Sequence, residues 1–120
     1  MDAIHYAEMS QNADSLMGTH ALDAKTVYLF GHCNATEELA RFLLRKGFSV
    51  RAILDNNEAK QGYSFLGIPV VAPGEILREG AEHTVVCIAA RAHAAMREQL
   101  LRMGFRGEIH TLVNYDSYSE

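Results

Sequence analysis

The stretch Thr26-Val27-Tyr28-Leu29-Phe30-Gly31-His32-Cys33-Asn34 decides the fold. Its first five residues are β-branched, apolar or aromatic and run without alternation, as in a strand buried on both faces, and Gly31 stops them. Beyond Asn34 the period changes. Ala35, Leu39, Phe42 and Leu43 recur at helical spacing, Glu37 and Glu38 stand in the first turn, and Gly47 is placed as the C-terminal stop. A buried strand, a tight turn and an amphipathic helix open a parallel βαβ unit.

Working outward, Ser49-Val50-Arg51-Ala52-Ile53-Leu54 reads as a second strand that ends at Asp55-Asn56-Asn57. A polar loop leads to a short strand, Ile68-Pro69-Val70-Val71, in which Pro69 marks an edge. Pro73 opens a short helix through Leu77, and residues 84–90 form another buried strand. The next helix carries Ala92, Ala95, Met96, Leu100 and Met103 on one face and stops at Gly104; residues 108–113 are the last strand. Alternating strands and helices with short turns predict an α/β domain, a Rossmann-like doubly wound parallel sheet of about five strands in the order 3-2-1-4-5. The expected organisation is a lead-in over residues 1–24, helical or a linker, the Rossmann-like domain over residues 25–113, and a loose tail over residues 114–120.

The 120 residues suit one domain, and their 48% hydrophobic content is that of a globular protein. A formal charge of -4, with Arg45-Lys46 the sole adjacent basic pair, argues against a nucleic-acid partner. The apolar runs are too short to span a bilayer, and Asp2, His5 and Glu8 break up the start, so no membrane insertion and a cytoplasmic location are expected. Two cysteines give neither a disulfide framework nor a CxxC signature, and the six histidines lack zinc-ligand spacing. The chain also echoes itself: Leu43-Leu44-Arg45-Lys46-Gly47-Phe48 matches Leu100-Leu101-Arg102-Met103-Gly104-Phe105. Carried backwards, that register lays Gly31-His32-Cys33-Asn34 over Ile88-Ala89-Ala90-Arg91. Both are strand-to-helix turns, expected on the carboxyl edge where open α/β sheets place ligands.

A dinucleotide fingerprint from Gly31 would need glycines where Cys33 and Thr36 stand. Cys33 puts a side chain where a pyrophosphate would approach, Thr36 adds bulk between helix and strand, and Glu37 and Glu38 compete with a phosphate for the helix N-terminus. NAD(P) is therefore the less favoured ligand. Asp55 closes the second strand where a carboxylate meets a ribose hydroxyl, and Asn56 and Asn57 add amides suited to a sugar or base edge. The competing account is a solvated Asp-Asn-Asn turn. Arg91, placed at the start of a helix, opposes the helix dipole unless it meets an anion or pairs with Glu37 or Glu38. His93 either faces the same crevice or is merely exposed. Cys33 is a weak candidate for a reactive thiol, with only His32 near it in sequence, and Cys87 reads as core.

Several of these stretches together carry a resemblance. Val27-Tyr28-Leu29-Phe30-Gly31, Asp55-Asn56-Asn57 with Lys60-Gln61-Gly62, Gly67-Ile68-Pro69-Val70 and Pro73-Gly74-Glu75-Ile76-Leu77 resemble Rossmann-like domains found with bacterial surface-polysaccharide enzymes. Among these are the nucleotide-sugar-binding N-terminal domains of bacterial sugar acetyltransferases. The resemblance covers roughly residues 26–113. It departs at Cys33 and Asn56, where the group carries a second glycine and a second acid. It implies a crevice for a nucleotide-sugar, with Gly31, His32, Cys33, Asn34, Asp55, Asn56, Lys60 and Arg91 as ligand-binding residues. It implies no catalysis by this chain alone, since acetyl transfer needs hexapeptide repeats that the sequence lacks. A related domain also stands behind some methyltransferase modules.

Three functions emerge as expectations. The first is a non-catalytic nucleotide or nucleotide-sugar binding module, accessory to a bacterial polysaccharide or sugar-modifying transferase, whose partner is a catalytic domain or a second copy. The second is a small NAD(P)-dependent oxidoreductase or epimerase fragment, weakened because Lys60 and Tyr63 stand in the reverse of the Tyr-x-x-x-Lys order. The third is a protein-interaction domain with a vestigial crevice, dimerising through Phe48, Phe65 or Phe105.

Overall fold

A computed structural model describes residues 1–115 of the chain. The elements run α1 (Ala3–Gly18), β1 (Thr26–Phe30), α2 (Asn34–Arg45), β2 (Ala52–Leu54), β3 (Ser64–Phe65), β4 (Ile68–Val71), β5 (Thr84–Ile88), α3 (His93–Arg102) and β6 (Glu108–Thr111), with 3₁₀ turns at Pro73–Leu77 and Ala81–His83. One sheet has the order β3-β4-β2-β1-β5-β6. Its five longer strands are parallel, so the expected doubly wound order stands. The addition is β3, a sixth, antiparallel strand inside the expected polar loop.

Alternation along each strand divides the core. Val27, Leu29, Ile53, Val85 and Cys87 face α1 and α2, where Met9, Ala13, Leu39 and Leu43 close over them. Tyr28, Phe30, Ala52, Leu54, Val86 and Ile88 face the other way, against Ile76, Leu100 and Phe105. Both faces of β1 are therefore covered, which is why its sequence shows no polar alternation. Phe105 is thus core and not a surface contact, while Phe48 and Phe65 are partly buried against the first cluster. On α3 the expected apolar face is narrower: Leu100 is buried, Met96 and Met103 half-buried, and Ala92 and Ala95 exposed. Residues 3–18 of the lead-in form α1, capped by Asp2, whose carboxylate accepts from His5 N at 2.9 Å. Within the expected tail Tyr115 is buried, and residues 116–120 lie outside the described residues.

The internal echo has a common cause. Phe48 N donates to Leu43 O at 3.0 Å and Gly47 N to Leu44 O at 3.0 Å; Phe105 N donates to Leu100 O at 3.0 Å and Gly104 N to Leu101 O at 3.1 Å. Both helices end in the same paired-bond motif, with glycine in the left-handed position and an aromatic residue folding back on the last turn.

Gly31 ends β1 at φ 88°, and a Cβ built there would stand 2.5 Å from the Met96 methyl. Replacing Gly31 by Ala is expected to cost roughly 1–3 kcal/mol in urea unfolding, from the left-handed backbone plus the displaced Met96. In a Met96→Ala background the same change should cost less, leaving about 1–2 kcal/mol of backbone strain.

Candidate functional site

Parallel pairing of β1 with β5, in the register Thr26↔Thr84 to Leu29↔Cys87, sets the two strand-to-helix turns side by side. α2 leaves β1 on one face of the sheet, α3 leaves β5 on the other, and the gap between the turns is the crevice expected of such a sheet. A cleft of about 410 Å³ lies there, walled by Asp2, the N-cap of α1, and His5 in its first turn, by Cys33 and Asn34 at the start of α2, by Arg91 after β5, and by Tyr115.

Seven of the eight residues singled out from the sequence divide into two groups, and Asn56 stands apart from both. Cys33, Asn34 and Arg91 line the cleft. Gly31, His32, Asp55 and Lys60 are engaged with the backbone and side chains around the turn instead. Gly31 N donates to Leu54 O at 2.7 Å, tying the turn to the end of β2. One Asp55 carboxylate oxygen accepts from His32 N and the other from Asn57 N, each at 2.7 Å. Lys60 Nζ donates to His32 O at 2.6 Å. Asp55 thus clamps β2 to the β1 turn, and the ribose-binding part expected for it meets a carboxylate already serving two backbone donors. Asn56 lies farther out, in a reciprocal amide pair with Gln99 at 2.8 Å in each direction.

The start of α2 is built differently from the fingerprint. Cys33 is the N-cap residue and makes no side-chain cap bond; its Sγ lies 3.4 Å from Thr36 Oγ1. Thr36, where a third glycine was sought, is buried, and its hydroxyl donates to Gly31 O. The added bulk therefore serves as a bridge between helix and turn. His32 Nε2 meets Glu37 Oε2 at 2.9 Å, so its ring is engaged by a carboxylate and not by the cysteine. Glu38 lies 3.8 Å from Arg41. The expected pairing of Arg91 with Glu37 or Glu38 is thereby overturned: both acids have nearer cationic or imidazole partners. Arg91 instead lies over the Tyr115 ring, 4.5 Å from its centroid. The residue precedes the N-cap of α3, Ala92, so it stands outside the helix whose dipole it was expected to oppose.

Three wall residues carried no sequence signal for this site. Asp2 has its carboxyl held below the ordinary range, first by the His5 backbone N–H. His5 is buried, with Nδ1 3.0 Å from Asp2 Oδ2. Tyr115 donates its hydroxyl to Ala89 O at 2.6 Å; burial pushes its phenol pKa up, and the neighbouring Cys33 adds to that while Arg91 opposes it. The buried spacing His5, Met9, Ala13 could reveal that α1 packs, but not where its first turn lands. Among the described residues no three His, Cys, Asp or Glu side chains gather as a metal site. No helix of the described residues is long and apolar enough to cross a membrane.

Among the described residues, the cleft therefore offers the Arg91 cation without a carboxylate partner, the Asp2 carboxylate held by the α1 N-terminus, an α2 N-terminus without a side-chain cap, and the rings of His5 and Tyr115. No family model matches the chain, and no curated protein does. Among solved structures it is similar to UDP-D-quinovosamine 4-dehydrogenase from Vibrio fischeri, at 23% identity and a TM-score of 0.59, over 78% of this chain and 81% of that one. That likeness establishes the Rossmann-like α/β fold, and it lends no support to the acetyltransferase resemblance.

Proposed function

We propose that the chain is a nucleotide or nucleotide-sugar binding module, accessory to a sugar-modifying enzyme, whose ligand places its diphosphate in the cleft between the β1 and β5 turns. The observation that carries this is Arg91. It is exposed at the cleft, has no carboxylate partner among the described residues, and shares the cleft with the start of α2. A diphosphate there would gain a charge-assisted contact from the guanidinium and would share the favourable end of the α2 dipole with Glu37 of its first turn. Cys33 and Asn34 are its neighbours on the helix side. Gly31, His32, Asp55 and Lys60 support the turn in this reading, Asn56 ties the β2 loop to α3, and none of them touches the ligand. That division also disfavours NAD(P) in the fingerprint pose, where the adenosine ribose would have to share the β2 carboxylate with two backbone donors. The solved neighbour's name specifies a UDP-sugar, which makes uridine diphosphate the first probe.

Calorimetric titration with UDP and UDP-N-acetylglucosamine should give saturable, salt-weakened binding, with NAD weaker than either. Arg91→Ala should weaken UDP by roughly tenfold or more while leaving thermal stability nearly unchanged, since one charge-assisted bond is worth about 1.5–3 kcal/mol. Flat titrations with all the uridine ligands would refute the reading. Asp55→Ala should behave in the opposite sense, costing roughly 1–3 kcal/mol of unfolding free energy by orphaning two backbone donors.

Thiol chemistry gives a separate check. Cys33 is exposed at the cleft, whereas Cys87 is fully buried in β5 and its thiol is pushed up to about 12 by burial. One thiol per native chain should react with a disulfide reagent, the second only on unfolding. Saturating UDP should slow the first.

A further inference from the structure

α1 and the segment after β6 meet along one line. Asn12 Nδ2 donates to Leu112 O at 2.7 Å, Glu8 Oε2 accepts from Asn114 N at 2.9 Å, and the His5 ring lies against the Tyr115 ring with centroids 4.6 Å apart. Residues 5, 8 and 12 stand three and four apart, so the three contacts share one face of the helix. The line runs into the cleft and ends on Tyr115.

Tyr115 is fixed from both sides. Its hydroxyl bond to Ala89 O, at 2.6 Å, pins the ring to the end of β5, and His5 packs against it from α1. The ring in turn carries the Arg91 guanidinium. Arginine is long and loses many rotamers when it binds an anion; a guanidinium already stacked on a pinned aromatic ring has lost part of that freedom beforehand.

We propose that Tyr115 is a positioning residue. It holds Arg91 at the cleft for a diphosphate, and α1 holds Tyr115, so contacts well away from the ligand set its affinity. This role rests on the binding reading of the cleft. Coupling of this kind is reciprocal, so an anion on Arg91 would also steady α1.

The test is a double-mutant cycle on the full chain, titrated with UDP. Tyr115→Leu should weaken binding by about tenfold, and Tyr115→Phe, which keeps the ring, by no more than about threefold. The Arg91→Ala/Tyr115→Leu double variant should bind no worse than Arg91→Ala alone, because Tyr115 acts only through Arg91. Asn12→Ala loosens the clasp away from the cleft, and its effect on UDP should likewise vanish in the Arg91→Ala background, which serves if Tyr115→Leu does not fold. A ligand-free signature accompanies these: the Arg91 Hδ protons should show an aromatic ring-current shift that Tyr115→Phe keeps and Tyr115→Leu or misfolding removes. Additive losses in the cycle, or wild-type affinity in Tyr115→Leu, would overturn the proposal while leaving the binding site standing. Failure of the wild-type chain to bind UDP would remove the binding reading and the positioning role together.

Discussion

Parallel hydrogen bonding on both edges of β1, to β2 on one side and β5 on the other, is the constraint from which the remaining geometry derives. A strand in that position is buried on both faces, so Val27 and Leu29 must be as apolar as Tyr28 and Phe30. It also delivers its carboxyl end beside that of β5. α2 then crosses one face and α3 the other, and the divergence leaves a gap that no backbone fills. The cleft is thus a by-product of topology before any of its side chains is considered. Its chemistry is a second layer, supplied by whatever residues the turns happen to carry.

The turn after β1 illustrates how tightly that second layer is constrained. The His32 peptide must place its N–H and C=O somewhere, and both are taken by side chains from the β2 side, Asp55 and Lys60. Gly31 offers its carbonyl to Thr36 and its N–H to Leu54. With these bonds made, the N–H groups of Gly31 and His32 are both taken from the β2 side. This inverts the emphasis drawn from the sequence. A carboxylate at the end of the second strand reads as a ribose partner because position suggests it, yet the same position also lets it reach the neighbouring backbone. A buried orphan donor costs about 1–3 kcal/mol, which is reason enough for the carboxylate to take the backbone N–H groups of His32 and Asn57.

The range of the forces involved decided which features the sequence revealed and which it hid. Strand burial, helix period and glycine stops act within a few residues, so the parallel order could be read from runs such as 26–31 and 43–48. β3 escaped because its turn uses Leu66 and Gly67, both at positive φ, 52° and 80°. A two-residue hairpin of that kind is announced by Asn-Gly or Asp-Gly, and leucine in the left-handed region gives no warning. The echoed hexamers were legible as a repeat, but their cause, a shared helix ending, needed the hydrogen bonds. Arg91 was found by its position, whereas its partner was not. Glu37 and Glu38 were the nearest acids by topology, and nothing local to Tyr115 indicated that its ring would turn back under the guanidinium.

The contact between Arg91 and Tyr115 bears on how the cleft is made. One side comes from the turns that follow β1 and β5, but two of the walls come from the start of α1 and from Tyr115, which share no hydrogen-bonded strand with β1. They reach the site by clasping each other: Asn12 and Glu8 bond the backbone of 112 and 114, and His5 meets Tyr115 where the line opens into the cleft. Each of these contacts is half-exposed or single, so none would hold a wall alone; hydrogen bonds of this type contribute about 0.5–1.5 kcal/mol each. Carried on the helix that also buries Met9 and Ala13 completely, they act together. The sheet therefore fixes where the cleft lies, while a weaker clasp between α1 and the segment after β6 carries the ring on which Arg91 rests.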